Sequence, residues 1–532
     1  MTRGRGLTAG LGVLVLLAGC TDSPGTPSAG PTAGPPGGGP AVGNSGSTGP
    51  AAGGASGGVS GGVSGGPAET RTVDAAGDIL DMGMLPLTRV GGTVVVSIST
   101  RVQRPKSGAG SSLVTGHFST VLAGSFDNVR LVDTQARRVY AVAPGADGSR
   151  CVCTGSARVA AGESRTLSAA FGGVPASVTT LSVMLPYAGV FADVPVVPGS
   201  APPNPDVDLG NVGTSPAADL DAYSERLDVG LTTRRTPGRV DLSLDADVLF
   251  RLDSASLTAA AGKVVTAAAA DIRAAGPGPL TITGHTDITS SAEHNQGLSE
   301  RRAATVATAL SKQLPNDRWP KSVTGKGETQ PAFPNDTADH RRRNRRVTIT
   351  YRPTPPPPTT TSPSPRMSPG TGIPAQPNVK LPKTTGIQAQ GAQGAEVALP
   401  LRRGTIRFTA ATATRRGPFV QVDLLAHNVG ERNATILSYL GQGAFTVRDE
   451  LDPYAPYGAS GVRMFAAATT YYNLDYTTAD HGHRCLCDRL LNTAIPPAST
   501  QTIALWYPAP PLGTTTITLD VPNAFRLTNI PV

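Results

Sequence analysis

Two long tracts of this 532-residue chain cannot fold by themselves, and they decide where everything else can fold. From Thr21 to Pro67 the sequence is almost entirely Gly, Ser, Pro, Ala and Thr. Such a segment buries too little apolar area to offset its ordering entropy, so it reads as a tether, with an r.m.s. span of roughly 35–40 Å and a stretched reach of roughly 150 Å. The second tract, from Pro353 to about Ala395, opens Pro-Thr-Pro-Pro-Pro-Pro-Thr-Thr-Thr and favours a polyproline II spacer. A looser connection at 197–237 holds Pro202, Pro203, Pro205 and Gly210. A single core does not grow to the size of the whole chain. The expected organisation is therefore a tether at 20–69, modules at 70–196, 238–352 and 397–532, and linkers at 197–237 and 353–396. The 63 Gly and 48 Pro, with only 16% charged residues, agree with that share of linker.

The N-terminus sets the compartment. Arg3 and Arg5 precede an apolar run from Leu7 to Ala18, too short for a mature transmembrane helix and suited to a signal peptide. It ends in Leu17-Ala18-Gly19-Cys20, which resembles the lipobox of bacterial lipoproteins. The resemblance implies removal of residues 1–19 and lipidation of Cys20 with diacylglycerol and palmitate-type acyl chains, enough for durable membrane attachment. The expected location is the outer face of the cell membrane, with the rest reaching into the cell wall. The net charge of +8 is spread thinly apart from Arg341-Arg342-Arg343-Asn344-Arg345-Arg346. An exported chain does not routinely meet nucleic acid, so wall polyanions explain that cluster better than DNA or RNA.

The first and third modules read as copies. Val94–Ile98 aligns on Val420–Leu424, Thr88-Arg89 on Thr414-Arg415, Arg150–Cys153 on Arg484–Cys487, and Leu181–Pro186 on Ile517–Pro522. Short Val-, Thr- and Ile-rich runs, alternating in polarity and bounded by Gly, Pro and Asp, predict all-β Ig-like sandwiches. Each copy has a Cys-x-Cys pair, and an even cysteine count in an oxidising compartment predicts disulfides. Cys151–Cys153 and Cys485–Cys487 are favoured over pairing between modules. Neighbours i and i+2 in a strand lie roughly 6.5–7 Å apart, so each pair needs a turn. His481 and His483 beside Cys485 and Cys487 raise a zinc or copper reading, but the other copy keeps its cysteines beside Asp147-Gly148-Ser149, which favours a structural role and no metal.

The middle module changes rhythm. Val240–Phe250 alternates like a strand. Leu257, Ala261, Val264, Val265, Ala268 and Ile272 then recur at helical spacing, with Ser254 or Ser256 as N-cap and a stop at Gly276. Pro279–Gly284 reads as a second strand, a second helix starts near Asn295 as its N-cap, and strands fit Lys321–Gly325 and Val347–Arg352 around a long basic loop. The order is β-α-β-α-β-β, an α+β sheet with helices on one face.

At this point the residues resemble the OmpA-like C-terminal domain family. Gly284-His285-Thr286-Asp287 matches its Gly-His-Thr-Asp element, and Asn295, Leu298, Ser299, Arg302, Ala303, Val306 and Leu310 match its helix pattern. Gly325-Lys326-Gly327-Glu328, Pro331, Asn335 and Asn344–Val347 follow in family order, while Ser290 and His294 depart from it. The resemblance implies binding of peptidoglycan at the diaminopimelate of its stem peptide, with Asp287 on the ammonium and Arg302 on the carboxylate. Thr286, Asn295, Leu298 and Arg345 line the same pocket by that resemblance. A side chain ending in an ammonium and a carboxylate needs one fixed anion and one fork of donors, which these two residue types supply.

The chain has no Gly-x-Ser-x-Gly elbow, His-Glu-x-x-His, Walker loop or dinucleotide fingerprint, so neither an enzyme nor a cofactor is expected. The leading expectation is a lipoprotein tethering membrane to wall, with unknown protein partners for the sandwiches. The alternative is an adhesion or metal-binding activity in the sandwiches, with the middle module only positioning them.

Overall fold

The computed structural model describes residues 69–532 except 107, 109, 121–123, 200–205, 355–380, 401–402, 437–438, 442, 449, 451–457, 480–481 and 489–493. The signal peptide, Cys20, the tether, His481 and most of the Pro-rich tract lie outside the described residues. No helix among the described residues is long and apolar enough to cross a membrane.

In the first module the longest strand, Thr93–Arg104, buries Val94, Val96, Ile98 and Val102. It pairs with Ser164–Gly172 from Thr93↔Gly172 to Arg101↔Ser164, and on its other side with Asp78–Met84. A second layer holds Arg130–Asp133, Arg138–Ala141, Thr180–Leu185 and Gly189–Pro198. Phe118, Phe126, Phe171 and Phe191 fill the space between the layers, each such burial contributing about 1.5–3 kcal/mol. The third module pairs its strands in the same order. Phe419–Asn428 lies between Thr405–Thr409 and Thr500–Pro508, and its second layer holds Arg463–Ala466, Thr469–Tyr471, Thr516–Val521 and Phe525–Pro531. Even an irregularity recurs, with a register shift between Leu181 and Val183 in one module and between Ile517 and Leu519 in the other.

The disulfides join Cys151 to Cys153 and Cys485 to Cys487, with Cα separations of 5.4 and 5.2 Å, shorter than an extended i, i+2 pair. Cys153 bridges to Ala169 and Cys487 to Leu505, matching positions in the two modules. Among the described residues no group of three or more His, Cys, Asp or Glu could hold a metal ion.

Two of the expected linkers prove partly structured. Within 197–237, Ala217–Asp219 adds to the first module, pairing Ala217 with Tyr140. The next two strands, β1 (Ala222–Arg226) and β2 (Leu231–Thr236), form a hairpin. β1 pairs with Thr469–Tyr471 of the third module, and β2 with β3 (Arg239–Asp245) of the middle module. One segment thus caps an open sheet edge on each module, and an 11-stranded sheet runs from the middle module into the third. The prolines that suggested a spacer precede these strands. Near the end of the second tract, Ile387–Gln390 pairs with Phe525–Pro531. The first and third modules also share a buried apolar cluster, with Phe419, Ala504 and Trp506 against Val132, Val139 and Met184.

In the middle module, α1 is Ala261–Ala275, β4 Leu280–His285, α2 Ala292–Ser311, β5 Lys321–Gly325, α3 Ala338–Asn344 and β6 Arg346–Tyr351. The sheet order is β5-β4-β6-β3, with β4 and β5 parallel. Leu242, Leu244, Ile282, Val347 and Ile349 meet Val264, Ile272, Val306 and Leu310 in one core, with α1 and α2 on a single face. Three local expectations are corrected. α1 starts after Ala260 and takes no cap from Ser254 or Ser256, because Phe250 bridges to Leu257 and the Thr258 hydroxyl donates to the Val248 carbonyl at 2.6 Å, making 251–260 a loop. α2 is capped by Ser291, which accepts from the His294 amide, so Asn295 lies inside the first turn. The basic loop contains α3, capped by Thr337. A Cβ at Gly284 or Gly325 would run into Ser299, so only glycine lets α2 settle onto the ends of β4 and β5.

Candidate functional site

Where β4 ends, Thr286 and Asp287 follow His285 and all three are buried. The Asp287 carboxylate is held from two sides. Its Oδ1 accepts from the Thr289 amide at 3.1 Å and the Thr289 hydroxyl at 2.6 Å, and its Oδ2 accepts from Arg345 Nη1 at 2.6 Å. Burial alone would raise its pKa, but hydrogen bonds from Thr289 and Arg345 outweigh burial and hold it below the usual carboxylate range. Asp287 is therefore a fixed anion.

Opposite it, α2 presents Asn295, Leu298 and Arg302 at i, i+3 and i+7 on one buried stripe. Arg302 is only 5% exposed, its Nε donates to the Ser254 carbonyl at 2.9 Å, and its guanidinium stands 5.2 Å from the Phe250 ring centroid. No carboxylate of the described residues forms an ion pair with it. Burial lowers its pKa, against the pull of Asp247, Asp253 and Asp287, yet a guanidinium stays charged.

Between these groups lies a cavity of about 440 Å³. All six residues expected from the sequence line it: Thr286, Asp287, Asn295, Leu298, Arg302 and Arg345. They do not act alike. Asn295 Nδ2 donates to the Asp287 and Ser290 carbonyls and to Glu328 Oε2, so it holds the 287–290 loop to the helix. Arg345 is engaged by two carboxylates, Asp247 at 2.6 Å and Asp287 at 2.6 Å, which push its pKa up, so it serves as the counterion of Asp287. Leu298 supplies apolar wall. The buried Thr286 hydroxyl has no hydrogen-bond partner among the described residues, an arrangement that a ligand would complete.

Sequence reasoning missed Asp247, Asp253, Ser254, Thr289 and Glu328. Thr289 was legible, because an Asp followed two residues later by Thr commonly closes such a turn. Asp247 and Ser254 carry no local signal, since each reaches the site through the loop after β3. At the departure positions, His294 Nε2 lies 2.6 Å from Asp253, and Ser290 gives its carbonyl to Asn295. Most of the Arg cluster is engaged within the protein: Arg342 pairs with Asp245 and Asp339, Arg343 with Asp339, and Arg341 donates to the Asn335 carbonyl.

The arrangement can receive a group carrying both charges, a cation against Asp287 and an anion against Arg302.

The OmpA family model matches residues 249–345. The chain is 35% identical over 120 residues to photosystem I P700 chlorophyll a apoprotein A2 of Gloeobacter violaceus, covering 21% of this chain and 14% of that protein. It is 32% identical over 124 residues to the probable lipoprotein YiaD of Escherichia coli, covering 23% and 56%. It is 35% identical over 114 residues to outer membrane protein A of Bordetella avium, covering 21% and 58%. The chain thus spans less than two thirds of each of these relatives. Among solved structures, the cell wall anchor of the T6SS from Pseudomonas aeruginosa matches at 28% identity and a TM-score of 0.21, over 23% of this chain and 88% of that one. Residues 249–345 are a domain of the OmpA family, set within a larger and mostly β chain.

Proposed function

We propose that this chain is a lipid-anchored envelope protein that binds the diaminopimelate-containing stem peptide of peptidoglycan non-covalently and so ties the membrane to the wall. The observation that carries the reading is the 440 Å³ cavity with an anionic Asp287 on one wall and, on the other, an Arg302 that no carboxylate of the described residues neutralises. The diaminopimelate tip bears an ammonium and a carboxylate on one carbon. It would place the first against Asp287 and present the second to the Arg302 fork, where charge-assisted bonds are roughly twice as strong as neutral ones. The relatives support a place in the envelope, since one is named a probable lipoprotein and another an outer membrane protein. Lipidation at Cys20 supplies the membrane end and the 20–69 tether the reach. The role read here is binding rather than catalysis.

Retention of the full chain on purified sacculi tests this. Asp287→Ala and Arg302→Ala should each weaken it about 30-fold or more, the usual cost of leaving one charge of a buried pair unmatched. Wild-type retention in both variants would remove the assignment.

A further inference from the structure

The helix-free face of the same sheet bounds a second cavity. Strand alternation turns Leu242, Leu244, Val347 and Ile349 toward α1 and α2, and leaves Asp241, Ser243, Arg346, Thr348 and Thr350 on the opposite face. Val447, Arg448 and Glu450 of the third module and the β1–β2 hairpin, which continues the sheet, border that face and bound a cleft of about 810 Å³. Most of its lining lies outside the first cavity, from which it is set apart by the junction between modules, and the two adjoin at Arg345.

Eight arginines and four carboxylates line the cleft, and the pairing among them is uneven. Arg234 is matched by Asp221 and Glu450, and Arg448 by Asp475 and Glu450. Arg346 is not matched. Its Nη1 and Nη2 donate only to main-chain carbonyls, Asn344 at 3.3 Å and Gln330 at 3.1 Å, and no carboxylate of the described residues pairs with it. Burial pushes its pKa down to about 10. A partly buried cation without a counterion is costly, and an incoming anion would remove that cost. At the rim, Arg239 and Arg343 pair with the solvent-accessible carboxylates of Asp241 and Asp339. The exposed Arg239 pair contributes little, so that guanidinium can turn to a stronger acceptor at little cost, whereas Arg343 is also held by the Val447 carbonyl at 2.9 Å. The cleft is also far larger than one phosphate or carboxylate needs, which suits a run of linked anionic units.

We propose that this cleft is a second ligand site, adjoining the stem-peptide pocket at Arg345 but centred on Arg346, that takes the oxyanions of an anionic polymer, phosphate or carboxylate. It does not rest on the stem-peptide reading.

Calorimetric titration of the full chain with sodium tripolyphosphate and with tricarballylate, at low ionic strength where such contacts are least screened, reads the site directly. Saturable binding of at least one probe is expected, and the tighter of the two identifies phosphate or carboxylate as the natural group. Arg346→Gln should weaken that binding about tenfold or more and leave sacculus retention within about twofold, while Arg302→Ala should do the reverse. Because Arg346 packs against the sheet, Arg239→Gln at the exposed rim provides a second reading, with binding about threefold weaker. No saturable binding of either probe, or unchanged binding in both Arg346→Gln and Arg239→Gln, overturns the proposal.

Discussion

The proposed stem-peptide pocket and the junction where β1 joins the third module are built from the same two residue types, used in opposite ways. At the junction Arg234 is held by Asp221 at 2.5 Å and Glu450 at 2.9 Å, and Arg448 meets both oxygens of Asp475 at 3.0 and 2.9 Å. The main chains of Asp221 and Asp475 hydrogen-bond to each other as well. Burial pushes the Asp475 carboxyl up against the pull of Arg448, so this cluster is stable only as a complete set. In the pocket, Asp287 has its counterion in Arg345, whereas Arg302 faces a cavity. An arginine and an aspartate close together therefore say little until it is known what stands on the far side of each. Where protein fills that place the charges weld modules together, and where space does a charge is left facing it.

The largest test of this contrast is removal of Arg448. Its side chain is 6% exposed, and Arg448→Ala leaves the buried Asp475 without its cation and Glu450 with Arg234 in place of two. Urea unfolding followed by tryptophan fluorescence should show a loss of about 3–5 kcal/mol, reported by Trp506 in the cluster shared by the first and third modules. A loss below about 1 kcal/mol would mean the junction is an ordinary surface pair.

A smaller effect is expected at His285, which faces the cleft side of the sheet. Burial, helped by the charges of Arg346 and Lys326, pushes its pKa down to about 3, so the folded protein binds the proton less well than the unfolded chain. Its stability contribution is complete above a pH of about 6.5 and falls as the pH drops toward 3, costing about 2–3 kcal/mol by pH 4.5. Urea midpoints at pH 7 and pH 4.5 measure it, and His285→Gln should flatten the difference. An equal acid sensitivity in that variant would place its origin elsewhere.

The smallest effect sharpens the pocket itself. Thr289→Ala removes the 2.6 Å hydroxyl bond to Asp287 Oδ1 and should weaken sacculus retention by about 1 kcal/mol, roughly fivefold. Because the pocket needs Asp287 ionised, retention fails on the acid side as the pH falls through a pKa below the ordinary carboxylate value. The variant should move that acid limb to higher pH, and an unmoved limb would show that Thr289 does not tune the anion.

Much of the site was legible because its residues sit at fixed spacings on two regular elements. The i, i+3, i+7 stripe of Asn295, Leu298 and Arg302 and the strand-end position of Asp287 follow from helix and strand periodicity, which are local properties. Their division of labour was not legible. Arg345 read as a pocket-lining residue and proves to be the counterion of Asp287, and Asn295 read as an N-cap and instead secures the loop. Asp247 and Ser254 could not be found, since their approach to Arg345 and Arg302 depends on how the loop after β3 closes. The segment 217–236 was misjudged for a related reason. Its partners are Tyr140, Tyr471 and Leu244, each in a different module, and no window of sequence holds them together.

The amino-acid sequence by itself determined the separation into foldable modules and tracts without a core, the matched all-β halves and the α+β middle domain, while the two charged residues that face its cavity were marked by a resemblance to a family motif. The first three are consequences of composition and period, which act over a few neighbouring residues. Tertiary structure alone decided which charges are neutralised and which remain available, that the module edges are joined by one hairpin, and that an arginine-lined cleft lies beneath the junction. Those outcomes depend on which groups exclude water from each other across long stretches of chain, and desolvation is a property of the assembled surface.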